Sequence, residues 1–140
     1  MILLYNMDAS HSNIDVGDFK SVAMSGTNGI AAAFGNGANG LFYSSDAGQT
    51  WHQSNMDTGL FSTVAMSGTN CIAGGNPLGY ALSQNYRVYY SSDSGRTWYP
   101  GNIGTADDIT SLSIDGSNCV ACYLGIMYIA GIYYSDDAGQ

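Results

Sequence analysis

The chain has 140 residues, a formal net charge of −8 and a pI near 4.1. That balance argues against a surface for nucleic-acid backbones or anionic lipids, both of which recruit basic patches. With 19 Gly, 11 Tyr, 3 Lys and Arg together and no Glu, the composition is poor in strong helix formers and suits short strands joined by turns.

In chain order, residues 1–5 are apolar but have no basic residue before them and stop at Asn6 and Asp8, too short a run for a secretory signal. No stretch approaches the roughly 20 apolar residues of a membrane span. A loop over residues 8–18 follows. Three related lines then recur: FKSVAMSGTN at 19–28, FSTVAMSGTN at 61–70 and ITSLSIDGSN at 109–118. Each predicts a small apolar strand, 21–25 in the first copy, ending in a tight Gly-Thr-Asn or Gly-Ser-Asn turn. Second strands are predicted over 30–34, 71–74 and 119–123, and third strands over 40–44, 87–91 and 131–135. Fourth strands are predicted over 50–55 and 97–100.

The third and fourth strands are joined by S-x-D-x-G-x-T-W. It occurs as Ser44, Asp46, Gly48, Thr50 and Trp51, and again as Ser91, Asp93, Gly95, Thr97 and Trp98. A third copy, Ser135, Asp137 and Gly139, lacks the T-W. The glycine is free to take positive φ, the aspartate is placed to accept turn N–H groups, and the tryptophan anchors the outgoing strand. These carboxylates are therefore read as structural. From Gly26 to Gly68 is 42 positions, from Gly68 to Gly116 is 48, from Asp46 to Asp93 is 47 and from Asp93 to Asp137 is 44. A four-stranded propeller blade takes about 40–50 residues.

SSDAGQTW and SSDSGRTW resemble the Asp-box, or BNR repeat, of sialidases, sortilin-type receptors and related β-propellers. The resemblance implies an all-β propeller with three four-stranded blades in one repeat domain, 1–140. The third blade's outer strand has a candidate in residues 1–7, because Asn6-Met7-Asp8 matches Asn55-Met56-Asp57. Three blades do not close a ring of four to eight. The expectation is a homodimer, six-bladed, in which each N-terminal strand completes the last blade of the other subunit. The alternative is that the chain is part of a larger propeller.

Irregular loops should gather on the side of the disc opposite the motif turns, where binding residues are expected. The candidates there are His11, Asp15, Asp18, Asn76, Tyr80, Tyr86, Asp107, Asp108 and Tyr128. Tyrosines stack on sugar rings or pack over the disc face, and paired aspartates bind cations or move protons, though Asp107 and Asp108 read first as a solvated acidic loop. The resemblance to sialidases implies an arginine triad and a Tyr–Glu pair. Only Arg87 and Arg96 are present and Glu is absent, so sialidase activity is rejected. The leading expectation is a non-catalytic binding propeller for a glycan or small polar ligand. A protein-interaction scaffold and a glycoside hydrolase using Asp residues are the alternatives.

The three cysteines carry no zinc or disulfide pattern. Cys71 and Cys119 occupy matching repeat positions, and Cys119 and Cys122, three apart on a strand, face opposite ways. No cofactor or metal is expected. A soluble, cytoplasmic protein is expected.

Overall fold

The computed structural model describes residues 10–14, 17–35, 37–76, 88–102, 108–125 and 130–140. They form eleven strands and no helix. These are β1 Phe19–Ser25, β2 Asn28–Ala33, β3 Gly40–Ser44, β4 His52–Gln53, β5 Leu60–Ser67, β6 Asn70–Asn76, β7 Val88–Ser91, β8 Tyr99–Pro100, β9 Asp108–Asp115, β10 Asn118–Leu124 and β11 Ala130–Ser135. The first sheet is β1-β2-β3-β4, the second β5-β6-β7-β8 and the third β9-β10-β11, all antiparallel.

Each sheet starts from the same local chemistry. The hairpins β1–β2, β5–β6 and β9–β10 turn at Gly26, Gly68 and Gly116, each with φ of 62°. That left-handed conformation costs an L side chain energy and glycine nothing. The register of each inner strand slips once, between Phe19 and Ser21, between Phe61 and Thr63, and opposite Cys122 and Tyr123. The extra residues Lys20, Ser62 and Thr110 hold equivalent repeat positions, so the bulge belongs to the repeat and bends each inner strand the same way.

The sheets pack face to face through alternate residues of their strands. Ile30, Ala32 and Leu41 of the first sheet meet Cys71, Ala73, Tyr89 and Trp98 of the second in one buried cluster. Val88 of the second meets Ile109 and Ala121 of the third in another. The inner strands are tied by short serine bonds: Val64 N–H donates to Ser21 Oγ (3.1 Å), Gly68 N–H to Ser25 Oγ (3.0 Å) and Gly116 N–H to Ser67 Oγ (2.9 Å). Small side chains there let successive sheets approach closely.

The outer strands are shorter than the sequence predicts. β4 and β8 have two residues each. The main chain just before them is held by side chains instead of by β3 and β7.

Candidate functional site

The motif turns are built alike. Ser44 Oγ donates to Asp46 Oδ1 (2.8 Å) and accepts from the N–H of Asp46 (3.3 Å) and Gly48 (3.0 Å). Asp46 Oδ1 accepts from Thr50 N–H (2.8 Å), and the indole of Trp51 donates to Gly48 O (3.0 Å). Ser91, Asp93, Gly95, Thr97 and Trp98 repeat the pattern, with the indole of Trp98 2.8 Å from Gly95 O. In the third turn, Ser135 donates to Asp137 and accepts from Gly139 N–H, and Asp137 accepts from Gln140 N–H (3.1 Å). Each turn is stapled to the tight turn of its own sheet: Ala47 N–H to Thr27 O, Ser94 N–H to Thr69 O and Ala138 N–H to Ser117 O.

These bonds set the carboxylates' chemistry. The Thr50 hydroxyl, followed by the Thr50 N–H, lowers the pKa of Asp46 to about 2. Burial pushes Asp93 upward, but the bonds from Thr97 and Ser91 outweigh it and the net shift is downward. Asp137 is lowered first by Ser135. Carboxylates held ionised and saturated by turn donors are poor proton shuttles. Burial, with the charge of Asp93 behind it, pushes the Cys71 thiol up to about 12.

Of the loop-side candidates, Asp15, Tyr80, Tyr86, Asp107 and Tyr128 lie outside the described residues. His11 is exposed, and Asp18 forms an ion pair with Lys20 (3.1 Å) whose ammonium sits over the Phe34 ring. Asn76 ends β6 and Asp108 opens β9. None of His11, Asp18 and Asp108 lines a described cavity. A cleft on the first sheet is lined by Asn13, Asn39, Gln53 and Asp57, but three of these are engaged internally. Gln53 donates to Leu41 O and Met56 O, Asn39 accepts from Gly35 N–H, and Asn13 holds Trp51. Among the described residues no three His, Cys or Asp side chains converge as metal ligands.

The distinctive site is the outer end of the third sheet. Among the described residues, β11 pairs only with β10, whereas β3 and β7 each carry an outer strand. Ile30 and Leu41 of the first sheet are 0% exposed and their counterparts Ile72 and Val88 are 1% and 3% exposed, because the next sheet covers them. At the same positions of the third sheet, Val120 is 45% and Ile132 70% exposed, and Tyr134 reaches 87%.

Beside this edge lies a cavity of about 340 Å³ lined by Ile72, Val88, Asn102, Cys119, Tyr133 and Gly139 among others. Between the first two sheets the equivalent residues Ile30, Leu41, Cys71 and Tyr89 enclose the indole of Trp98. A side chain completes that arrangement. Asn55 Nδ2 donates to Trp98 O (3.0 Å) and Asn55 Oδ1 accepts from Trp98 N–H (2.8 Å). Asn13 brackets Trp51 identically, at 3.1 and 2.7 Å. Asn55 stands four residues after Trp51, and Asn102 stands four after Trp98. The Asn102 side chain has no hydrogen-bond partner among the described residues.

The clamp also bears on the N-terminal segment. Ser12-Asn13-Ile14-Asp15 repeats Ser54-Asn55-Met56-Asp57 at a constant offset, and it is Asn13 that holds Trp51. The earlier match, Asn6-Met7-Asp8, lies outside the described residues.

No protein-family model matches the sequence, and no curated protein matches it. Solved structures do. The structure described as "YCF48 bound to D1 peptide" superposes with a TM-score of 0.64 at 16% identity, over 89% of this chain and 39% of that one. "AFV00434, an ancestral GH74 enzyme" superposes with a TM-score of 0.64 at 14% identity, over 91% of this chain and 18% of that one. Both are β-propeller proteins. The chain has the propeller fold. Its sheets are propeller blades, and it spans well under half the length of either propeller. Among the described residues no helix is long and apolar enough to cross a membrane.

Proposed function

We propose that the chain is a non-catalytic binding propeller whose ligands are polypeptides, received on the outer end of its third blade. The observation that carries this reading is the exposure of Val120 and Ile132 at positions that the next blade covers in the first two, with Tyr134 exposed beside them where Tyr43 and Tyr90 are half-buried. Among the described residues the outer edge of β11 is unpaired, and an apolar face beside such an edge invites strand addition and sheet stacking. The propeller solved with a bound peptide supports the same class of ligand. The motif turns, which resemble Asp-boxes, hold the blades' outer strands and do no chemistry.

The first ligand is a second copy of the chain. Val22 on the first blade is 64% exposed, while its counterpart Val64 is buried against the preceding blade. Stacking the third blade of one copy on the first blade of another repeats a contact the chain already makes twice. Two such contacts close a six-bladed homodimeric ring, with the N-terminal segment, residues 1–7, running along β11 of the partner.

Sedimentation equilibrium tests this. The expected mass is twice the 14.7 kDa of the chain, and Ile132→Asp should shift it toward one copy. A single-copy mass for the unaltered chain at concentrations of about 100 μM, far above the Kd typical of a stable pair, removes the homodimer. Turnover of a glycoside panel that disappears in Asp108→Asn would replace the non-catalytic reading with the hydrolase.

A further inference from the structure

A cleft of about 420 Å³ opens on the first blade, between residues 13–14, residues 37–39 and the segment that follows β4. Its walls are fixed by the chain's own bonds. Asn13 brackets the N–H and C=O of Trp51 at 2.7 and 3.1 Å, which sets Ile14 against the buried cluster of Ala38 and Phe42. Leu41 N–H donates to Met56 O (2.8 Å) and Ser54 N–H to Leu41 O (3.0 Å), which pins the segment carrying Asp57 to the start of β3. The approach there is so close that a Cβ on Gly40, at φ of 88°, would lie 2.0 Å from Met56 O. A ligand therefore meets a surface that is already formed, and little ordering opposes binding.

Three residues of the wall keep polar atoms unused. Asn39 Oδ1 accepts from Gly35 N–H, which leaves its Nδ2, and Gln53 Nε2 donates to Leu41 O and Met56 O, which leaves its Oε1. The Asp57 carboxylate has no partner among the described residues, where the one ion pair is Lys20 with Asp18. The cleft thus offers acceptor oxygens, one of them charged, and a single amide donor beside the apolar side chains of Ile14, Ala38 and Phe42. A sugar hydroxyl gives and accepts in equal measure; this set calls for a donor-rich cation on an apolar stem. In the second blade the positions of Asn39, Gln53 and Asp57 hold Tyr86, Pro100 and Gly104, so upkeep of the repeat does not require the three polar groups. Pro100 stays exposed although the first blade lies against the second, so this part of a blade remains open when a neighbour covers it.

We propose that this cleft binds a lysine side chain presented by another polypeptide. The ammonium donates to the Asp57 carboxylate and to Gln53 Oε1, the methylene stem lies along Ile14, Ala38 and Phe42, and the main-chain carbonyl of the lysine accepts from Asn39 Nδ2. The net charge of −8 favours the approach of a basic partner. The choice of a polypeptide as carrier rests on the proposed function. The cleft itself does not, since it uses none of the exposed residues named there.

Titration of the isotope-labelled full chain with Nα-acetyl-lysine N-methylamide, followed by amide chemical shifts, tests this. Saturable shifts confined to the surroundings of Ala38, Asn39 and Gln53 are expected, with a Kd on the order of 1 mM. The norleucine analogue, which lacks the ammonium, should bind about tenfold more weakly or worse. Asp57→Asn, a change at an exposed residue, should weaken the lysine derivative to a similar degree. Absent saturation at about 20 mM, equal binding of the norleucine analogue, or an unaffected Asp57→Asn variant each overturns the proposal. Butylamine that binds as tightly as the lysine derivative assigns the cleft to free amines and overturns the polypeptide carrier. Methyl glucoside that binds equally to the unaltered chain and to Asp57→Asn makes it a sugar site and overturns it too. The norleucine comparison uses the unaltered chain, so it decides the matter even where the variant fails to fold. The sedimentation mass is read independently, so a chain that stays single yet binds the lysine derivative loses the ring and keeps the site.

Discussion

Asp46 shows how much of this structure is held by single side chains. Its pKa of about 2 lies below the ordinary carboxylate value. Between the two values the unfolded chain binds the proton that the folded one refuses, so the stabilisation is complete above the unfolded pKa and is lost as pH falls toward 2. Asp93 and Asp137 are shifted in the same direction. The unfolding temperature should therefore be level from about pH 7 to 5 and drop below about pH 4. Asp46→Asn should flatten that acid limb in thermal scans across pH, and an acid limb of unchanged steepness in the variant would count against the assignment. The turn glycines separate two effects that are alike in sequence. Gly48→Ala places a Cβ at φ of 84° with no close neighbour, a strain of about 1–2 kcal/mol. Gly95→Ala adds a Cβ 2.4 Å from Ile30 Cγ2 and should cost clearly more in urea unfolding. One feature of these turns is invisible in the motif: Ala47, Ser94 and Ala138 also take positive φ, at 59°, 61° and 63°. The motif advertises the glycine but not its neighbour, whose conformation is imposed by the bond from its N–H to the tight turn of its sheet.

Among the elements, the inner and middle strands were legible from the repeated lines, because alternation and turn glycines act locally. The outer strands were not. Thr50 reads as strand, but its N–H is taken by Asp46, and the N–H and C=O of Trp51 are taken by Asn13. His52 and Gln53 then pair with β3, and beyond them only the Ser54 N–H and the Met56 carbonyl bond to it, both at Leu41. The clamps join residues 38 and 43 positions apart, beyond any local pattern. Asn55→Ala should cost about 1–2 kcal/mol in urea unfolding, since it strips two bonds from Trp98. Asn102→Ala should cost close to nothing in the same assay. Equal losses from the two variants would mean that Asn102 already serves the folded chain by itself.

At the scale of the whole molecule, the three described sheets end in two unlike apolar faces, one carrying Val22 and the other Val120 and Ile132. If these faces meet in a second copy, Val22→Asp and Ile132→Asp should lower the sedimentation mass equally, and mixing the two single variants should restore one of the two junctions. A variant pair that differs in effect would point to a contact outside these faces. The all-β class, the repeat and the chemistry of the motif turns were readable from residue order, because φ preferences, alternation and short-range side-chain bonds are properties of neighbours in the chain. Tertiary structure alone decided which repeated positions are covered. Ile72 and Val120 are equivalent in the repeat, yet one lies under the next blade and the other faces solvent. Burial depends on what lies across the sheet, some 10 Å away, and the same dependence makes Trp98 a core residue, 2% exposed, while Trp51 at the equivalent position is only half-buried.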